Sequence, residues 1–204
     1  MSVDVVVVPT GTANLASVLA GLRRAGAIPR LSELAQDVAE APGLVLPGVG
    51  ALEAAMQRLI ELDLVSVLRQ RFLDGKPSLA VCLGLQLLAE ESEESPDIPA
   101  LKVFPGKVAR FSDSLRVPQM GWNQVSPAPG CRFLRPGWAY FANSYRLESV
   151  PEGWAGATTT YGDDFVAALE RGSVLACQFH PELSGAWGRE LLSRWVDGVR
   201  QGGQ

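Results

Sequence analysis

Short apolar runs that stop at glycine or proline alternate with stretches of helical period along the first half of this chain, and few architectures accept that rhythm. It is the signature of a sheet flanked by helices. Val3 to Val8 reads as a first buried strand. Beyond the turn Pro9-Thr10-Gly11-Thr12, the residues Leu15, Val18, Leu19 and Leu22 fall at i, i+3, i+4 and i+7, the stripe of a helix ending near Gly26. Ala27 to Leu31 reads as a second strand. Ser32 is placed to cap a helix running to about Glu40, and Leu44-Val45-Leu46 is a third strand stopped by Pro47-Gly48-Val49-Gly50.

Helical stretches over about 51–60 and 64–73 lead to Asp74-Gly75-Lys76-Pro77. Ser78 to Val81 is the next strand and Leu83 to Glu90 the helix after it, which sets Cys82 on a strand-to-helix turn. The acidic, proline-bearing run from Glu90 to Asp97 reads as a solvated loop. From Lys102 to about Gln178, short β-type segments with frequent Gly and Pro suggest antiparallel additions to the sheet. The closing segment carries Leu191, Leu192, Trp195, Val196 and Val199 on one helical face. With no internal repeat and no linker, the 204 residues are expected to form one domain, 1–204, with a substantial core.

Composition removes several function classes. A net charge of −4 without any basic block gives no electrostatic reason to expect a nucleic-acid partner. Apolar runs such as Val5 to Val8 fall far short of the roughly 18 residues of a membrane span. The start, Met1-Ser2-Val3-Asp4, also lacks the basic segment of a signal peptide. The three cysteines, at 82, 131 and 177, are widely spaced, with no CxxC pair or Cys/His cluster. No metal site or cofactor is expected, and a reducing cytoplasm is the natural location.

The chain has a single histidine, His180, so any imidazole chemistry must happen there. A thiol nucleophile on a strand-to-helix bend needs small residues two before and two after it, and Ala80 and Gly84 flank Cys82 in that way. The bend aims the sulfur at a helix amino end, where unpaired N–H groups favour thiolate, and the Leu83 N–H becomes an oxyanion donor. Pro181 biases His180 toward an extended conformation, in which residues i and i+2 project to the same side. Glu182 can then reach Nδ1 of His180 while Nε2 faces the sulfur. Separately these are ordinary residues; their joint occurrence points to a Cys82–His180–Glu182 triad.

Six ordered blocks extend the pattern: Gly11-Thr12-Ala13-Asn14-Leu15-Ala16-Ser17-Val18, Leu46-Pro47-Gly48-Val49-Gly50, Val81-Cys82-Leu83-Gly84-Leu85-Gln86, Met120-Gly121-Trp122-Asn123, Tyr140-Phe141-x-x-Ser144-Tyr145 and Gln178-Phe179-His180-Pro181-Glu182. With them the chain resembles the class I (triad) glutamine amidotransferases from its first strand to its final helix. Within that family it is most similar to the glutaminase subunits of imidazole glycerol phosphate synthases. The resemblance implies an α/β fold, with an open, mixed, mostly parallel central sheet flanked by helices on both faces and antiparallel additions.

The resemblance also implies that Cys82 attacks the side-chain amide of glutamine, that His180 passes a proton to the departing ammonia, and that Glu182 orients the imidazole. It places Gln86, Ser144, Tyr145 and the Gly50 backbone around the bound glutamine, with Val49 and Gly50 as a second source of oxyanion N–H groups. It further implies a partner, a cyclase subunit with a (β/α)8 barrel that takes the ammonia through its core in histidine biosynthesis. Asn14, Met120, Trp122 and Asn123 would lie at that interface, although core packing explains Met120 and Trp122 equally well from sequence alone.

The chain departs from the family pattern in three places. Ala80 stands where a glycine is common, Asn143 where a histidine usually precedes Ser144-Tyr145, and Leu183 where a lysine often follows His-Pro-Glu. Three other readings stay open: a glutaminase serving pyridoxal phosphate or anthranilate synthase, a related cysteine hydrolase, and a non-enzymatic domain with a structural Cys82.

Overall fold

The opening valines are buried on both sides, which requires a strand covered by helices above and below. The computed structural model describes residues 2–11 and 13–202, so Thr12 of the first predicted turn lies outside the described residues. In chain order the first elements are β1 (Val3–Val7), α1 (Leu15–Arg24), β2 (Ala27–Leu31), α2 (Ala35–Glu40), β3 (Gly43–Gly48), α3 (Leu52–Glu61), α4 (Val65–Leu73), β4 (Ser78–Cys82) and α5 (Leu83–Gln86). There follow β5 (Glu91–Ser92), β6 (Lys107–Arg110), β7 (Gln119–Pro127), β8 (Gly137–Asn143), β9 (Tyr145–Leu147), β10 (Ala155–Tyr161), β11 (Asp163–Arg171), β12 (Val174–Cys177) and the closing α6 (Gly185–Gly202).

Among the described residues the central sheet has the order β2-β1-β3-β4-β12-β11-β10-β7-β8. The pairs from β2 to β12 are parallel, and those from β12 to β8 are antiparallel. This is the α/β fold expected, with β12 returning to lie beside β4. A smaller sheet joins β5, β6 and β9.

Alternation along the parallel strands divides the interior into two cores. Val5, Val7, Val45, Leu79 and Val81 face α1 and α6, where Leu191, Leu192, Trp195, Val196 and Val199 form the predicted stripe. Val6, Val8, Leu44, Leu46 and Ala80 face the other way, toward α3 and α4 residues such as Leu52, Met56, Leu68 and Phe72. Each fully buried aliphatic side chain contributes roughly 1.5–3 kcal/mol by transfer from water, so these layers outweigh exposed ion pairs such as Arg58–Glu33.

Two buried charges pin the chain between layers. The Arg71 guanidinium donates to the carbonyls of Val38, Ala39, Ala41 and Pro77 and to Ser78 Oγ, tying the end of α2 to the strands below it. Burial pushes its pKa down to about 10, which still leaves it charged at neutral pH. The Glu170 carboxylate accepts the N–H groups of Arg132, Phe133 and Leu134, fixing the β7–β8 connection against β11.

Three local expectations are corrected. Ser32 does not cap α2: the cap position is Leu34, while Ser32 Oγ accepts from Leu34 N–H and donates to Asp37. The helix after Cys82 stops at Gln86 rather than Glu90, because the carbonyls of Leu87, Leu88 and Ala89 are taken by the N–H groups of Leu101, Val103 and Lys102. The acidic run is not a free loop. Ser92 pairs in β5, Glu93 bonds Lys107, and Glu94 accepts the N–H of Leu52 at 3.0 Å. That last contact supplies the acceptor that Ala51 cannot, at a helix end whose dipole favours negative charge.

Candidate active site

The β4–α5 junction is tight enough to dictate its residues. Cys82 holds φ 53° and ψ −108°, a left-handed conformation that is strained for a non-glycine residue and concentrates at functional sites. A Cβ on Gly84 would lie 2.0 Å from the Leu46 carbonyl oxygen, so only glycine lets α5 rest on β3. Ala80, two residues before the sulfur, is itself fully buried in the core on the α3 and α4 side.

His180 follows β12, which runs beside β4 with Cys177 opposite Val81. Its backbone is extended, and its N–H donates to the Tyr140 carbonyl at 2.9 Å. Ser184 Oγ donates to the His180 carbonyl at 2.6 Å and accepts from Tyr140 N–H at 3.0 Å, so the loop is stitched to β8 from both sides. Glu182 does not continue an extended strand as expected. Pro181–Leu183 form one turn of 3₁₀ helix, closed by Leu183 N–H to the His180 carbonyl, and this turn carries the carboxylate back to the imidazole. His180 Nδ1 and Glu182 Oε1 are 2.9 Å apart, with both side chains almost fully buried.

Burial opposes a charged imidazole here, but hydrogen bonds and charge from Cys82 and Glu182 outweigh it and raise the His180 pKa to about 10. These contacts favour the protonated ring. With Nδ1–H given to Glu182, Nε2 is the nitrogen left for the sulfur. The structure thus brings together Cys82 at the end of β4 and the His180–Glu182 pair that follows β12, the three residues predicted from sequence.

The sulfur borders a cavity of about 230 Å³. Val49, Gly50, Leu83, Gln86, Ser144 and Tyr145, all singled out from sequence, line it with Cys82. Gly50 has φ 88°, a conformation that glycine takes without cost. Asn143 lines the cavity too; its Nδ2 donates to the Tyr145 carbonyl at 3.0 Å, while its buried Oδ1 has no partner. Sequence reasoning missed Ala142 and Glu94 in the lining, and it missed Gln178. Gln178 donates to Cys82 Sγ at 3.7 Å, a contact foreshadowed only by its being polar at the end of a buried strand.

The residues assigned to an interface lie apart from this cavity, on the surface. Asn14 caps α1 by accepting from Ser17 N–H, and Asn123 donates to the Thr160 carbonyl at 2.9 Å. Met120 and Trp122 are 67% and 50% exposed, which sets aside core packing as their role. Trp122 meets Tyr140 edge-on at 6.2 Å, and Met120 is paired with Ala142, whose carbonyl oxygen is 3.9 Å from Cys82 Sγ. The apolar patch therefore begins one strand position from the sulfur. No helix among the described residues is long and apolar enough to cross a membrane.

Known proteins bear directly on this geometry. The family model described as "Glutamine amidotransferase class-I" matches residues 12–197. The chain is 42% identical to the imidazole glycerol phosphate synthase subunit HisH of Symbiobacterium thermophilum, over 94% of this chain and 92% of that one. It is 44% identical to the subunit of the same name from Thermosynechococcus vestitus, over 90% and 91% of the two chains. Among solved structures it superposes on a crystal structure of a glutamine amidotransferase with a TM-score of 0.77 at 21% identity, covering 96% of this chain and 98% of that one. The glutaminase domain of Trypanosoma brucei CTPS with bound acivicin gives a TM-score of 0.66 at 15% identity, covering 98% and 94%.

Proposed function

The chain belongs to the class I glutamine amidotransferases, and we propose that it is the glutaminase subunit of an imidazole glycerol phosphate synthase, with Cys82, His180 and Glu182 as its triad. The observation that carries the residue assignment is the Glu182–His180 pair held beside a strained Cys82 at the mouth of a cavity.

The Cys82 thiol gives its proton to His180 as its sulfur adds to the side-chain carbonyl carbon of glutamine, and the N–H groups of Gly50 and Leu83 take the oxyanion. The carbon–nitrogen bond breaks as the His180 imidazolium gives its proton to the leaving nitrogen, which departs as ammonia. His180, now neutral, removes a proton from water; the hydroxide attacks the thioester and glutamate leaves as Cys82 is regenerated. Glu182 keeps Nδ1–H engaged through both halves, so Nε2 always faces the reacting atoms. Gln86, Ser144 and Tyr145 surround the substrate.

Ammonia is useful only if it reaches an acceptor before it is protonated and lost. We assign the partner as a (β/α)8 barrel cyclase, seated on Asn14, Met120, Trp122 and Asn123. The patch adjoins the strand beside Cys82, which shortens the path. The isolated chain is expected to hydrolyse glutamine slowly and to accelerate when the liganded partner binds; equal rates in the two states would count against that coupling. The enzyme works in the cytoplasm, where its free cysteines stay reduced.

Cys82→Ala tests the assignment. In the complex it should abolish glutamine-dependent synthesis and leave ammonia-dependent synthesis intact. Surviving glutamine-dependent turnover would remove Cys82 from the mechanism, and loss of both activities would refute the division of labour.

A further inference from the structure

Gln178 is fully buried, and the chemistry described above gives it nothing to do. Its Nε2 donates to Cys82 Sγ at 3.7 Å, and its Oε1 accepts from Gln86 Nε2 at 3.1 Å. Gln86 Nε2 also donates to the Tyr145 carbonyl at 3.1 Å. These contacts fix which way the Gln178 amide faces. With its oxygen held by a donor, its NH₂ must point at the sulfur, since the reverse orientation would set two NH₂ groups against each other.

The backbone fixes the position as firmly. Cys177 is paired with Val81, so Gln178 stands beside Cys82 on the neighbouring strand, and its own N–H donates to the Ala167 carbonyl at 2.8 Å. An amide N–H gives a hydrogen bond but takes no proton. Its bond strengthens as charge gathers on sulfur, because donors to ionised acceptors are roughly twice as strong. The Ala142 carbonyl, 3.9 Å from Sγ, does the opposite and is served only while the thiol keeps its proton. Among the described residues, the ionisable groups around the sulfur are His180, with Glu182 behind it, and Glu94 and Tyr145, which line the same cavity.

We infer that Gln178 is a positioning residue: through a donor held in place by Gln86, it aims the Cys82 sulfur into the cavity and favours its thiolate. The inference rests on Cys82 being the nucleophile. Because Gln86 also lines the cavity, anything that engages Gln86 is linked to the sulfur through two amides.

The test is alkylation of Cys82 by iodoacetamide in the full chain, followed on the Cys82 peptide by mass spectrometry from about pH 5.5 to 9.5. Wild type is compared with Gln178→Met, which keeps the volume and removes the donor, and with Gln86→Met, which leaves the donor but frees its orientation. Gln178→Met should alkylate about tenfold more slowly at neutral pH, with the rise of the rate displaced upward by about one pH unit. In the complex, its kcat should fall while KM for glutamine stays within about twofold. Gln86→Met should displace the alkylation profile in the same direction by less. A wild-type rate and profile in Gln178→Met overturns the inference; should that variant not fold, an undisplaced profile in Gln86→Met does so. Alkylation needs no turnover, so these outcomes are separate from those of Cys82→Ala, which decide whether the chain is a glutaminase through Cys82 at all.

Discussion

Gly84→Ala probes the elbow with the smallest possible perturbation, one methyl group. The added carbon would sit 2.0 Å from the Leu46 carbonyl oxygen, whereas real Cβ atoms essentially never come within 3.0 Å of a neighbour. The start of α5 and the end of β3 must therefore part by about 1 Å, the difference of those two distances. Both sides of the clash are backbone, so no rotamer change relieves it. Overpacking of this kind costs about 1–3 kcal/mol, and the upper end applies where nothing can rotate away. A domain with roughly 5–15 kcal/mol of stability survives that loss. Cys82 forms the amino end of α5 and moves with it, and a misplacement of about 1 Å lowers rate by about 10²-fold. The expected variant is folded, unfolds about 2–3 kcal/mol more easily in urea, and hydrolyses glutamine about a hundredfold more slowly with its partner bound. A denaturation midpoint and rate matching wild type would show that α5 is not seated on β3 as described.

Trp122→Ala and Met120→Ala should each change unfolding free energy by no more than about 0.5 kcal/mol, since both side chains are exposed, yet weaken partner binding about tenfold or more in titration calorimetry. Unchanged affinity in both would move the interface elsewhere. Glu170→Gln leaves one oxygen where two served three backbone N–H groups, and should lower stability by about 2 kcal/mol. A wild-type midpoint would mean that the 131–134 segment is held by other contacts. For His180 the folded pKa, about 10, lies above the ordinary value of 6.5. Its protonation therefore stabilises the fold fully below pH 6.5, and that contribution is lost as pH rises from 6.5 toward 10. Subtracting the pH profile of His180→Gln unfolding from that of wild type should give a difference that declines across this window. A flat difference would refute a raised His180 pKa.

The parallel half of the fold was readable because its strands are buried on both faces, and so appear as unbroken apolar runs such as Val5 to Val8. The elbow was readable for a steric reason that is local in sequence, the small residues around Cys82. What escaped was set by residues far apart. Leu83 to Glu90 has the composition of a helix, but Leu101, Lys102 and Val103 claim the carbonyls that a longer helix would need, and no local pattern announces them. Glu94 looked like one charge of a solvated run, yet it caps a helix 42 residues earlier. Extended geometry at His180 leads to Glu182 from sequence, but the chain does not stay extended past His180. The turn after Pro181 brings the Glu182 carboxylate to Nδ1 by another route.

One alignment governs the whole site. Val174, Leu175, Ala176 and Cys177 are paired with Ser78, Leu79, Ala80 and Val81, and both strands are buried on both faces. Because side chains alternate, sliding one strand by a single residue would turn every one of them to the opposite face, exchanging residues between the two cores. Leu79 and Leu175 belong to the core under α1 and α6, Ala80 and Ala176 to the other, so a slip sets leucine against the space left for alanine. The packing that excludes this slip is the same packing that sets Gln178 beside Cys82 and delivers His180 just beyond it. Two segments 96 residues apart are thus brought to within hydrogen-bonding reach by the shapes of a few apolar side chains.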